Sequence, residues 1–132
     1  MKRDAARLER ALVVLVALHS LAVGLMLLGP TEWAVHFGGW SSATPLFFPR
    51  QAGAFHFVVA TAYLVEYFHY RGVIVLVTTK AFATVFLLGA TFLDGAPWSV
   101  PLSAAADAGM GLVVWLAFVA RRREEQARRP AG

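Results

Sequence analysis

The chain contains no cysteine among its 132 residues. Without thiols it can form no disulfide, no thiolate-bound metal or iron–sulfur site, and no thiol redox centre. It also lacks the H-E-x-x-H, G-x-S-x-G and P-loop motifs of zinc proteases, serine hydrolases and nucleotide-binding proteins. The sequence therefore predicts neither a catalytic residue nor a metal site, and we expect no independent enzymatic activity.

Charged residues are also scarce. They make up 15% of the chain, whereas 58% of its residues are hydrophobic, and the mean hydropathy is +0.61. A soluble domain of this length could not bury so much apolar surface, so the composition indicates a single membrane domain over residues 1–132. The pI of about 10.1 reflects basic residues that flank apolar runs, and we expect no nucleic-acid partner.

Four apolar runs occupy residues 11–28, 51–70, 73–93 and 98–120. A run of about 20 apolar residues can cross a bilayer as a helix. The first run ends at Gly29-Pro30 without a cleavage signal, so we expect an uncleaved anchor rather than a signal peptide. The predicted fold is all-α, an integral membrane four-helix bundle.

The long segment between the first two runs carries aromatic residues at helical spacing. Trp33, Phe37 and Trp40 follow Thr31, which is a plausible N-cap after Pro30. This pattern predicts a short helix that lies in the membrane interface, with its aromatic side chains at headgroup depth.

The basic residues predict the orientation of the chain. One side of the membrane receives ten of them, and the other receives only Arg50, while Lys80 lies within a span. By the positive-inside rule, both termini should be cytoplasmic. The tail at 121–132 should be a frayed or disordered basic segment. The ten residues are Lys2, Arg3, Arg7, Arg10, Arg71, Arg121, Arg122, Arg123, Arg128 and Arg129.

Lys80 is a charge deep inside the third run. Such a charge costs about 2.5–3.5 kcal/mol on insertion scales, so a partner is expected. At about 1.5 Å per residue, Lys80 lies about 12 Å and Asp107 about 16 Å below the cytoplasmic face. Asp107 is therefore the expected partner. Glu66, about 6 Å below that face, is the alternative, and the simplest arrangement joins all three in one network.

Three further polar residues complete the predicted polar core. His19 reaches a depth of about 14 Å, and His56 and Tyr63 share one stripe of the second run. The two histidines differ in depth by roughly 7 Å, which is a poor match for a bis-histidine haem. Each of these residues could instead have a purely structural role, because polar residues also hold membrane helices together through hydrogen bonds. Any cofactor is thus unidentified, and the candidate ligand-binding residues are His19, His56, Tyr63, Glu66, Lys80 and Asp107.

The stretch from Phe47 to Gly111 resembles the DoxX-like small four-helix membrane proteins of bacteria. The resemblance is carried by Phe48-Pro49-Arg50-Gln51, by Tyr63 to Tyr67, by Lys80 and by Asp107 to Gly111. It implies a multi-pass protein of the bacterial plasma membrane with inward polar residues. Named members of that group are linked to quinone-coupled oxidation or to redox maturation, and the lack of cysteine argues against a thiol-based role here.

Two functional hypotheses follow from these observations. The first is an accessory or assembly subunit of a larger membrane complex, since no catalytic constellation is present and almost no mass lies outside the membrane. The alternative is a self-sufficient protein that binds a quinone or lipid, or relays protons, through Glu66, Lys80 and Asp107. The expected partners are membrane lipid, other membrane subunits and, in the second case, a hydrophobic small molecule such as a quinone.

Overall fold

The computed structural model describes residues 4–127, and the described chain is all-α, as predicted. It contains five α-helices and one π-helical turn, Glu66–Tyr70, which continues directly from the third helix. The α-helices are α1 Asp4–Leu28, α2 Thr31–Phe37, α3 Phe47–Val65, α4 Ile74–Leu93 and α5 Ser99–Gln126.

Three helices are long and apolar enough to cross a membrane. The spans are Ala5–Leu28, Ile74–Leu93 and Ser99–Gln126, which is typical of a membrane protein. The second predicted span is divided between α3 and the π-helical turn. α3 falls short of this criterion because Arg50, Gln51 and His56 lie in its first half. The fourth crossing therefore stays a prediction.

The first and last helices are longer than the apolar runs that predicted them. α1 is already helical at Asp4, the first described residue, and α5 continues through Gln126. The prediction of a frayed or disordered tail is therefore wrong for 121–126, which are helical, while 128–132 lie outside the described residues. The extension of α5 has a tertiary cause, because Arg121 donates hydrogen bonds to Glu9 of α1 and to Glu125 one turn along.

The four long helices pack with successive members antiparallel. α1 packs against both α3 and α5, and α4 packs against α5, whereas α3 and α4 are in limited contact. We call the end that holds the start of α1, the π-helical turn and the end of α5 the terminal end. The opposite end, with α2 and residues 38–46, is the loop end.

The crossing of α1 and α3 depends on two glycines that face each other. A Cβ atom on Gly24 would lie 2.9 Å from the carbonyl oxygen of Gly53, and a Cβ atom on Gly53 would lie 3.0 Å from that of Gly24. Small residues at a crossing let helix backbones approach closely, as in membrane helix pairs. This close approach fixes how far α1 and α3 are shifted along each other, and so determines which of their side chains lie at the same level.

The aromatic segment at the loop end forms the predicted short helix, although its start differs in detail. Thr31 is the first helical residue rather than the N-cap, and its hydroxyl donates to the carbonyl of Leu27 at 2.6 Å. Phe37 packs edge-on against Trp98 with ring centroids 5.8 Å apart. The hydroxyl of Ser99 donates to the carbonyl of Gly38 at 2.7 Å. These contacts fix α2 to the start of α5.

Candidate functional site

Lys80 and Asp107 form an ion pair between α4 and α5. The Nζ atom of Lys80 lies 2.6 Å from Oδ1 of Asp107, and Lys80 is only 4% exposed. This is the contact that their matched depth predicts. The helices come close enough because Gly111, one turn after Asp107, has no side chain, and a Cβ atom there would lie 3.1 Å from that of Lys80.

The ion pair borders a cavity of about 320 Å³, which we call the polar cleft. The cleft lies between α3 and α4, where these helices make limited contact, and Ser20 of α1 also lines it. The lining residues are Ser20, Ala52, Phe55, His56, Val59, Tyr63, Thr79, Lys80, Ala83 and Asp107. Four of the six predicted polar-core residues, namely His56, Tyr63, Lys80 and Asp107, therefore meet at one place.

Two polar atoms at the polar cleft have no hydrogen-bond partner in the structure. They are Nδ1 of His56 and Oγ of Ser20, and both atoms are buried. Buried polar atoms in folded proteins nearly always have a partner, so each exception calls for an explanation. Both residues line the polar cleft, so a small shift of either side chain toward the cleft would let a bound molecule supply the missing hydrogen bond.

His19 does not belong to the polar cleft, contrary to the prediction. Its side chain is exposed, whereas Val16, Ala17 and Ser20 on the same helix are buried. One residue along an α-helix is a rotation of about 100°, so His19 lies beside the buried face that holds Ser20 rather than on it. The depth of His19 along α1 could be predicted from its position in the sequence. The direction of its side chain could not, because it depends on which face of α1 packs against α3 and α5.

Glu66 is also placed differently from the predicted network. Its two carboxylate oxygens accept hydrogen bonds from the backbone N–H groups of Ile74 and Val75, at 2.8 and 2.9 Å. The first N–H groups of a helix have no partner within it, and a carboxylate there also meets the positive end of the helix dipole. Glu66 thus caps α4 instead of pairing with Lys80.

A second charged site, at the terminal end, was missed by the sequence analysis. Glu9 is 0% exposed and accepts a hydrogen bond from Nε of Arg121, while Nη1 of Arg121 lies 2.6 Å from Glu125. The other oxygen of Glu9, Oε1, is buried without a partner. Glu9 lies four residues before the buried Val13, so the helical period extended backwards from the apolar run could have revealed that it faces inward.

An apolar layer separates the two charged sites. Along α1, Val13 and Val16 lie between Glu9 and Ser20, and along α5 Val114 lies between Asp107 and Arg121. These valines belong to one buried cluster, whose members are Val13, Val16, Tyr63, Tyr67, Val73, Leu76 and Val114. Tyr63 belongs both to the cluster and to the lining of the polar cleft, so the cluster borders the cleft on the side of the terminal end.

No group of three histidine or acidic side chains that could hold a metal ion occurs within residues 4–127. Comparisons with protein-family models, curated proteins and solved structures found no match for this chain. The resemblance to the DoxX-like proteins therefore stays a prediction, and the function must be argued from the geometry of the site.

We predict that Lys80 and Asp107 depend on each other. Lys80→Met or Asp107→Asn alone leaves one buried charge unpaired, which costs about 3–5 kcal/mol, so each should lower the melting temperature in detergent. The double variant Lys80→Met with Asp107→Leu should recover much of this loss. A loss in the double variant equal to the sum of the two single losses would show that the two side chains do not interact. A double variant that is stable but no longer binds a ligand or partner would show that the pair is functional.

We expect the Glu9–Arg121 pair to respond asymmetrically. Arg121→Met strands a carboxylate that is fully enclosed, whereas Glu9→Gln leaves Arg121 still bonded to Glu125. Because an uncompensated buried charge is the larger penalty, Arg121→Met should lower the melting temperature more than Glu9→Gln. Arg123→Met, at an exposed position two residues on, serves as the control. Equal effects of the two variants at the pair would contradict this account.

Proposed function

We propose that the protein is an integral membrane four-helix bundle that binds a hydrophobic small molecule, quinone-like or lipid-like, in the polar cleft. The observation that carries the proposal is the pair of unpartnered atoms, Nδ1 of His56 and Oγ of Ser20, beside a cavity of about 320 Å³. Ligand pockets typically combine a mostly apolar lining with a few polar groups that orient the ligand. The polar cleft has this composition.

The buried valines between the two charged sites favour ligand binding over proton relay, although the same cluster also holds the side chains of Tyr63 and Tyr67. A relay across the membrane needs polar groups or water in a continuous chain. Here Val13, Val16 and Val114 are buried between the two charged sites, at 0%, 3% and 0% exposure. A molecule that reaches the polar cleft from the loop end or from the membrane does not have to cross this layer.

A second candidate function is that of a subunit in a larger membrane complex. It is favoured by His19, a polar side chain exposed near the middle of the apolar helix α1. Lipid tails cannot hydrogen-bond an imidazole, whereas a neighbouring membrane helix could. The exposed His19 therefore supports the accessory role that was inferred from the sequence.

We further propose that the protein lies in a bacterial plasma membrane with both termini in the cytoplasm. The terminal end carries Arg7, Arg10, Arg71 and Arg121, while the loop end carries Arg50. A cysteine placed at Ser42 should react with an impermeant thiol reagent from outside intact cells. One at Ala127 should react only after the membrane is opened. The absence of native cysteine makes the labelling unambiguous, and labelling of both positions from the same side would contradict the orientation.

Purification from native membranes in mild detergent separates the two candidate functions. If the polar cleft holds a ligand, a homogeneous particle should yield a stoichiometric hydrophobic molecule in its solvent extract, identified by mass spectrometry. His56→Leu should lose that molecule, because it removes one of the two polar groups, whereas Ala105→Leu at an exposed site outside the cleft should keep it. Stoichiometric partner proteins together with an empty extract would favour the subunit role.

A further inference from the structure

One face of α3 lines two neighbouring cavities. The first is the polar cleft, and the second, of about 410 Å³, lies at the loop end and is called here the loop cavity. Phe48, Ala52, Phe55, Val59 and Tyr63 follow one another at spacings of three or four residues, so they share a face of the helix. Ala52 lines both cavities. The cavities therefore adjoin along this face.

The two cavities together form an elongated site. From Phe48 to Tyr63 the helix rises about 22 Å, at about 1.5 Å per residue. This is a large part of a hydrocarbon core of about 30 Å. A compact ligand would occupy only one of the cavities, whereas a molecule with a chain can extend through both.

The polarity of the site changes from one end to the other. The loop cavity is lined mainly by apolar residues, among them Leu27, Val35, Trp40 and Phe48. Its hydroxyls at Ser42 and Thr44 lie 2.8 Å apart and hydrogen-bond each other. The unpartnered atoms of His56 and Ser20 lie at the polar cleft. An amphiphile would accordingly place its polar end in the polar cleft and its chain in the loop cavity.

The charges of the site specify the kind of polar end. Among the described residues that line the two cavities, Lys80 and Asp107 alone carry formal charges, and they neutralise each other at 2.6 Å. An anionic head group would compete with Asp107 for Lys80, and a cationic one would compete with Lys80. Burying either kind of charge without a partner is costly. An uncharged group that makes hydrogen bonds meets neither penalty.

We propose that the elongated site binds an uncharged single-chain amphiphile. A carbonyl or hydroxyl at its polar end bonds His56 and Ser20, and its chain lies against Trp40 and Phe48 in the loop cavity. This inference rests on the proposed function, and it adds the charge, the shape and the orientation of the ligand. The chemistry is shared by chain-bearing quinones and by monoacylglycerols.

The test compares four probes on the purified full-length protein in detergent. Two are uncharged and carry a chain, namely monoolein and a decyl-substituted benzoquinone. Oleate has the chain of monoolein with an anionic head, and methyl-benzoquinone has a polar ring without the chain. Apparent affinities come from the rise in melting temperature with ligand concentration. At least one uncharged chain-bearing probe should bind. Preference for monoolein would identify the ligand as a monoacylglycerol, and preference for the decyl-substituted benzoquinone would identify it as a quinone. Oleate binding as tightly as monoolein would overturn the inference.

Ala52→Leu tests whether the chain passes between the two cavities. Ala52 is exposed, so the added side chain narrows the junction without disturbing the core. Binding of the chain-bearing probe should weaken by about tenfold or more, which corresponds to losing the burial of roughly two methylene groups. Ala105→Leu should bind every probe as the unmodified protein does. Unchanged chain-probe affinity in Ala52→Leu would overturn the inference while leaving the proposed function intact.

The orientation of the ligand is tested by fluorescence quenching. Monoolein with a brominated chain should saturably quench a variant that keeps Trp40 alone, with phenylalanine at positions 33, 98 and 115. A variant that keeps only Trp115, which lies outside both cavities on α5, should show no saturable quenching. Quenching of Trp115 but not of Trp40 would overturn the proposed orientation. If none of the four probes binds, the proposed function itself fails.

Discussion

The ion pair between Lys80 and Asp107 is the interaction on which the site depends. An isolated lysine among apolar side chains would be strongly unfavourable, so α5 must present Asp107 at the level of Lys80. Gly111 allows this by leaving room for the lysine stem. This contact fixes the position of α5 against α4. Because Lys80 and Asp107 also line the polar cleft, that part of the cleft forms only when the two residues pair.

The second ion pair ties the same helix at its other end. Asp107 and Arg121 lie 14 residues apart on α5, about 21 Å along its axis. One of them bonds α4 and the other bonds α1. The apolar layer between them contains Val13, Val114 and other residues of the buried cluster. Charge is thus concentrated at two levels, and the buried cluster between these levels borders the polar cleft on the side of the terminal end.

Most of the fold followed from patterns in the sequence, and the exceptions have local causes. The four apolar runs located the four long helices, and the aromatic spacing located α2. Matched depth identified Asp107 as the partner of Lys80. The role of Glu66 could not be seen in the same way, because its carboxylate bonds N–H groups eight and nine residues ahead. That contact needs the sharp reversal after the π-helical turn, where Arg71 adopts a left-handed conformation with φ of 56°.

The sequence by itself determined which segments are helical, which charges must be neutralised inside them and roughly at what depth. Those properties follow from hydropathy and from the rise per residue, and both are local. Only the tertiary structure decided which side chains face one another. It turned His19 outward and brought Glu9 to Arg121 across 112 residues of chain. It also left Nδ1 of His56 and Oγ of Ser20 without a hydrogen-bond partner in two residues that line a cavity. The physical reason is that the rotation of each helix is set by the neighbours it packs against, and no single segment carries that information.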